Sequence, residues 1–233
     1  RIVGGNEVRP AFKYPNMVSL AYDGQHWCGG TLYNSDTIIT AAHCTIEDQN
    51  RWTARIHRHD LTKTDAQENG KTYKIISREI HPQFGGQNAI NDVAIWKINA
   101  NRTNTHPLVS LDTGYIGFNT GELVNSIGWG IVKEGNNFTS STLQQVQLPI
   151  FKPETCAERY VNYRRQVHPP TMICAGYESG NKDSCDGDSG GPLGVVRHGK
   201  FHLVGITSWG NGCARPGFPG VYTRVSAVVD WIK

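Results

Sequence analysis

Ser189 lies in the run Asp183-Ser184-Cys185-Asp186-Gly187-Asp188-Ser189-Gly190-Gly191-Pro192, one hydroxyl between glycines, beside acidic residues and a cysteine. A serine hydroxyl is a weak nucleophile near neutral pH unless a base takes its proton during attack. Flanking glycines let backbone N–H groups come close to a reacting carbonyl, where negative charge develops. Two other segments hold the groups such a serine needs: Ala41-Ala42-His43-Cys44 offers an imidazole base, and Asn91-Asp92-Val93-Ala94 offers a carboxylate. Singly, a His beside a Cys ordinarily completes a loop, and Asn-Asp before an apolar run is ordinarily a turn. Together, in this order, the three point to nucleophilic catalysis at a carbonyl.

Bringing together groups so far apart in sequence is a task for the whole chain. Short apolar runs rich in β-branched residues recur between Gly, Pro, Asn and Asp clusters, at Met17–Tyr22, 37–41, 73–76, 93–98, 123–127 and 201–208. That spacing predicts an all-β barrel or sandwich. Residues 155–160 and 226–233 read as short helices, and 107–120 as the crossing between two halves.

With 233 residues and 38% hydrophobic content, the chain can bury a sizeable core as one large or two smaller domains. Its net charge is +3 and its basic residues are scattered, with no Lys/Arg run of the kind that holds nucleic acid or a membrane surface. No apolar stretch approaches the ~20 residues that span a bilayer. The six cysteines include no C-x-x-C pair, which argues against zinc or thioredoxin-type use and favours an oxidising, extracellular setting. His57-Arg58-His59 lacks a convergent third metal ligand and reads as a solvated strand end. Asn101-Arg102-Thr103 and Asn137-Phe138-Thr139 are glycosylation acceptors by pattern, so Asn101 and Asn137 are candidate glycan sites.

The serine, histidine and aspartate segments do not stand alone. The chain opens Arg1-Ile2-Val3-Gly4-Gly5, and its second half carries Gly128-Trp129-Gly130, Ser208-Trp209-Gly210 and Gly220-Val221-Tyr222-Thr223. From Ile2 to its end the chain resembles the trypsin-type serine proteases of the chymotrypsin family. The resemblance implies two six-stranded antiparallel β-barrels, at 1–112 and 113–233, packed at an active-site cleft and followed by a short C-terminal helix. His43 and Asp92 then fall in the first barrel and Ser189 in the second, with the Ile2 segment docked on the second.

The family's roles carry over residue by residue. Ser189 would attack the scissile carbonyl, His43 would take its proton and return it to the leaving amine, and Asp92 would orient His43. The backbone N–H groups of Gly187 and Ser189 would form the oxyanion hole, and Ser208 would bond to Asp92. Asp183 would lie at the base of the primary pocket, with Ser184 beside it and Trp209, Gly210, Gly212 and Gly220 lining it. A carboxylate there predicts cleavage after Arg or Lys. The implied disulfides are Cys28–Cys44, Cys156–Cys174 and Cys185–Cys213. Asp186 stands where trypsins usually have glutamine; at the pocket rim it would disfavour acidic residues flanking the cleavage point.

In this family, cutting before Ile frees an amino group that pairs with the acid next to the nucleophile. Here the pair is Ile2 and Asp188, and a chain retaining Arg1 is expected to be zymogen-like, with a loose pocket and oxyanion hole. Trypsins often bind calcium in a loop of the first barrel. The matching stretch, 60–70, keeps Asp60 but has Gly70 where the second acid belongs; Asp65 or Glu68 could compensate after a register shift, but neither a tight calcium site nor any other cofactor is expected. The expected partners are protein and peptide substrates with Arg or Lys at the cleavage point and protein protease inhibitors. No nucleic acid, membrane or second copy of the chain is expected.

Overall fold

The computed structural model describes residues 2–100, 107–131 and 138–233. Its first half is a closed barrel in the order β2-β3-β4-β7-β6-β5, after a two-residue strand β1 (Asn6–Glu7). The barrel strands are β2 (Met17–Tyr22), β3 (Gln25–Leu32), β4 (Thr37–Thr40), β5 (Trp52–Ile56), β6 (Lys71–Ile80) and β7 (Ala94–Ile98). Asp23-Gly24, both at positive φ, makes the tight hairpin turn between β2 and β3. Along β5 and β7 every second residue is buried, the period-2 pattern of a strand with one face inward. Trp52 and Trp96 meet edge to face inside the barrel, ring centres 5.1 Å apart.

The second half agrees with the expected barrel: six strands of four residues or more curl into a half-barrel, and two two-residue strands add to it. It is a curled sheet of eight strands: β8 (Ser110–Leu111), β9 (Leu123–Gly128), β10 (Gln144–Pro149), β11 (Met172–Ala175), β12 (Pro192–Arg197), β13 (Lys200–Trp209) and β14 (Gly220–Arg224), joined by β1. The order is β1-β10-β9-β12-β13-β14-β11, with β8 parallel to β13. The sheet curls until a single bridge, Ile150 to Ala175, joins its ends. A full ladder cannot form there because β10 ends at Pro149, which has no N–H to donate. β1 and β8 come from before residue 112 yet belong to this sheet.

Helix α1 (Asp65–Glu68) is missing from the sequence reading, although Thr64 and Gln67 form the capping box that signals it. Helix α2 (Pro153–Arg159) starts on a proline at its first turn. Helix α3 (Val225–Ile232) buries Val225, Val228, Val229 and Ile232, a stripe at 3.6-residue spacing. Both lie within two residues of the expected bounds. None of the described helices is long and apolar enough to cross a membrane.

Cys28–Cys44, Cys156–Cys174 and Cys185–Cys213 are bonded, as the resemblance implied, and no cysteine is free. Each closes a loop of modest length, a constraint on the order of 3 kcal/mol against unfolding. The two halves touch backbone to backbone at Gly29 and Gly191: a Cβ on Gly29 would lie 2.8 Å from the Gly191 Cα. That contact lets the Gly29 N–H donate to the Ser189 carbonyl at 2.8 Å, tying the serine turn to the first barrel.

Candidate active site

His43 projects from a single 3-10 turn, Ala42–Cys44, directly after β4, and the Cys28–Cys44 bond fixes that turn to β3. Its backbone N–H donates to Asp92 Oδ1 at 2.9 Å, and its Nδ1 lies 2.7 Å from Asp92 Oδ2. A carboxylate only accepts, so Nδ1 carries the proton and Nε2 of the neutral ring keeps its lone pair for the cleft. Asp92 is 1% exposed, whereas the His43 side chain is 37% exposed. Ser208 Oγ donates to Asp92 Oδ2 at 2.5 Å, and Thr223 Oγ1 donates to the Asp92 carbonyl at 2.8 Å. The carboxylate is therefore gripped from both halves before any substrate arrives.

Ser189 reaches the same cleft from the other side. A cavity of about 590 Å³ is lined by His26, Trp27 and His43 from the first half and by Asp186, Gly187 and Ser189 from the second. The hydrogen-bond chain runs from Ser208 through Asp92 to His43 and ends at this cavity. Among the described residues, Ser189 Oγ makes no hydrogen bond to His43. Nucleophile–base contacts are often long until substrate closes the site.

The turn 186–191 exposes N–H groups because two of its glycines adopt positive φ, +90° at Gly187 and +77° at Gly190. The Asp188, Gly190 and Gly191 N–H groups are taken up by backbone carbonyls of Cys185, Thr207 and Asp188. Among the described residues, the N–H groups of Gly187 and Ser189 have no such acceptor, and both residues line the cavity. Two adjacent unpaired donors at a cleft suit a developing oxyanion.

One residue of this site escapes a reading of the sequence. His26 Nε2 donates to the Gly187 carbonyl at 2.9 Å, while Ser19 Oγ meets its Nδ1 at 2.8 Å. Burial pushes the His26 imidazole down to about 4, so the ring is neutral near pH 7 and the tautomer follows from its two partners. The ring holds the Gly187–Asp188 peptide, which lies between the two N–H groups of Gly187 and Ser189. Ser19 and Gly187 lie 7 and 161 residues from His26, and no local pattern links them.

A second cavity, of about 490 Å³, opens beside Ser189 and is lined by Asp183, Ser184, Ser208, Trp209, Gly210, Gly212 and Gly220. Asp183 is 2% exposed. Burial pushes its carboxyl up to about 7, against two backbone N–H groups, Ala214 at 3.0 Å and Ser184 at 2.8 Å. A Cβ on Gly220 would stand 2.6 Å from Asp183 Oδ1, so any side chain there would cover the carboxylate. Tyr222 Oη donates to Ser184 Oγ at 3.0 Å, and the Cys185–Cys213 bond braces the wall. Asp186 is exposed and lines both cavities.

Ile2 is buried against Ile116, Val124 and Val146, and Val3 exchanges backbone hydrogen bonds with Asp183 at 2.9 and 3.2 Å. Asp188 is wholly buried, and burial raises its carboxyl above the usual range. It accepts from the Gly130 N–H at 2.8 Å and the Cys185 N–H at 3.0 Å. A Cβ on Gly128 or Gly130 would overlap its oxygens, which accounts for the Gly128-Trp129-Gly130 motif. Arg1, Asn101 and Asn137 lie outside the described residues.

Every sequence-predicted group of the cleft and pocket thus lines one of two adjoining cavities or bonds to a residue that does. The fold and the cleft together define the class: a serine endopeptidase. A family model described as "Trypsin" matches residues 2–232, and the chain belongs to the trypsin family. It is 37% identical to "Trypsin-1" of Astacus astacus, covering 100% of this chain and 98% of that protein. It is also 37% identical to the "Vitellin-degrading protease" of Bombyx mori (100% and 84% covered) and 34% identical to the "Proclotting enzyme" of Tachypleus tridentatus (100% and 65%).

Proposed function

We propose that the protein is a secreted endopeptidase that cuts after Arg and Lys through an acyl-enzyme on Ser189, and that cleavage between Arg1 and Ile2 activates it. The observation that carries the specificity is Asp183, a carboxylate buried at the base of a cavity that opens beside Ser189. A guanidinium pairs with such a group through charge-assisted, bidentate bonds, and an ammonium fits with help from Ser184.

In the reaction, Ser189 Oγ bonds to the scissile carbonyl carbon as its proton passes to His43 Nε2. Asp92 steadies the imidazolium through Nδ1–H, already held at 2.7 Å. The carbonyl oxygen, now an anion, takes the free N–H groups of Gly187 and Ser189. His43 then gives its proton to the amine as the C–N bond breaks. Water repeats the sequence on the ester and frees Ser189. Folded inhibitors that present an Arg or Lys loop would occupy the same cleft. Three disulfides with no free cysteine support an oxidising, extracellular setting.

Activation rests on Asp188. A fully buried carboxylate without a cationic partner costs about 3–5 kcal/mol, enough to hold the pocket open or closed. A sample whose N-terminus is Arg1 by mass spectrometry is expected to be about 10²- to 10³-fold less active than one starting at Ile2. The processed form, digesting a denatured protein mixture, should leave Arg and Lys at the new C-termini. Equal activity of the two forms would refute the activation step; new termini dominated by other residues would refute the specificity.

Asp186 adds charge at the rim. Peptides carrying Glu rather than Gln beside the cleavage point should show kcat/KM lower by about two- to fivefold at low salt, converging at high salt. Equal rates at both ionic strengths would remove Asp186 from specificity.

A further inference from the structure

The loop from His57 to Gly70 closes around a side chain of its own. Arg58 is 3% exposed, and its guanidinium points into the loop centre. Its Nε–H donates to Glu68 Oε2 at 2.8 Å and one terminal nitrogen to Asp65 Oδ1 at 2.9 Å. The other donates to the carbonyls of Lys63 at 2.5 Å and Asp60 at 3.3 Å. Two carboxylates and two carbonyl oxygens thus converge on one cation.

Both acids are held by further donors as well. Glu68, also 3% exposed, accepts from the backbone N–H groups of Asp60 at 2.7 Å and His59 at 3.1 Å. Burial alone would raise its carboxyl, but those two donors and Arg58 outweigh burial and hold it below the usual range. Thr72 Oγ1 donates to Asp65 Oδ2 at 2.7 Å. A calcium ion needs six to eight oxygens at about 2.3–2.6 Å, and here the converging oxygens already face a guanidinium. Among the described residues, no three His, Cys, Asp or Glu side chains converge on a point. The calcium that the family resemblance suggests does not fit this loop.

Gly70 belongs to the same arrangement. A Cβ there would stand 2.6 Å from Arg58 Cδ and 2.9 Å from the His57 carbonyl. The residue at which the second acid is missing is therefore the one whose lack of a side chain admits the arginine stem. We infer that Arg58 is a built-in cation that takes the place of a divalent metal in this loop, so that neither its folding nor its hold on the second half depends on calcium.

That hold is specific. The Leu61 N–H donates to the Ser141 carbonyl at 2.8 Å, and the His59 carbonyl accepts from the Leu143 N–H and from Trp129 Nε1, both at 2.9 Å. Trp129 precedes Gly130, whose N–H holds Asp188. The cation thus secures a loop that braces the wall of the active site.

The test is thermal melting of the full chain carrying Ser189→Ala, which cannot digest itself, in chelator and in about 10 mM calcium, above the ~10⁻³ M range of weak extracellular sites. The two midpoints are expected to coincide within about 1 °C, and calorimetric titration should show no saturable calcium heat. Adding Arg58→Met, which leaves the Glu68 carboxylate buried without its cation, should lower the midpoint by about 6–15 °C. Adding Arg58→Lys should lower it less. A calcium-dependent rise of several degrees in the parent, saturable binding to it, or an Arg58→Met midpoint equal to the parent's would overturn the inference. If Arg58→Met fails to fold, Arg58→Lys and the parent comparison still decide.

Discussion

Replacing Ser189 with Ala is expected to lower kcat on an arginyl amide by about 10⁴- to 10⁶-fold, with KM and the melting midpoint little changed. The size of the loss follows from what the hydroxyl alone supplies: without it no acyl-enzyme forms, and only binding and the N–H groups of Gly187 and Ser189 remain to assist water. The fold should tolerate the change because the turn is held by its backbone. Gly29 donates to the Ser189 carbonyl at 2.8 Å and Gly190 donates to Thr207 at 2.8 Å, and alanine keeps both bonds. His43→Ala should cost a similar factor, and the double variant little more, because the two groups act as one unit. Retention of about a hundredth of the wild-type kcat by Ser189→Ala would mean that another nucleophile does the work. Additive losses in the double variant would show that Ser189 and His43 do not act as one unit.

Asp183→Asn is expected to lower kcat/KM for Arg and Lys substrates by about 10²- to 10⁴-fold, the cost of removing one partner of a desolvated charge pair. Cleavage after apolar residues should not fall in parallel. The same carboxylate predicts a pH effect on binding. Its folded pKa, about 7, lies above the ordinary 3.8, so between those values the folded state holds a proton that the unfolded chain releases. The stability this gives is full below about 4 and is lost as pH rises through about 7. A bound cation reverses the preference, because it pairs only with the ionised form. Affinity for a small arylamidine should therefore weaken toward tenfold per unit as pH falls below about 7. Binding at pH 7 should release about half a proton per site, measurable by calorimetry in buffers of different ionisation heat. Asp183→Asn should abolish the release. A pH-independent affinity between about 5 and 8 would show that Asp183 is ionised throughout that range, and an affinity unchanged by Asp183→Asn would show that the group is not the pocket's cation partner.

Much of this site was legible because chemistry that needs particular atoms leaves local marks. The serine turn needs glycines at positive φ, so Gly187 and Gly190 flank Ser189 in the sequence itself. The strand at Met17–Tyr22 was readable residue for residue, since an apolar run ending at Asp23-Gly24 has few other conformations. What was not legible depends on contacts between distant segments. His26 looks like any loop histidine until Ser19 and the Gly187 carbonyl are brought to its two nitrogens. Arg58 looked like part of a solvated strand end, because its partners include carbonyl oxygens that only the folded loop turns inward. The second barrel's incomplete closure follows from Pro149, whose missing donor matters only once β10 has a neighbour to meet.

The most direct measurement is covalent labelling of the processed enzyme, starting at Ile2, with a phosphonofluoridate, which esterifies only an activated serine hydroxyl and releases fluoride. One phosphonyl group per chain should appear on the peptide containing Ser189, activity should disappear in proportion, and His43→Ala should slow the labelling by at least about 10³-fold. Full labelling at a different serine, or activity that survives complete modification of Ser189, would contradict the account.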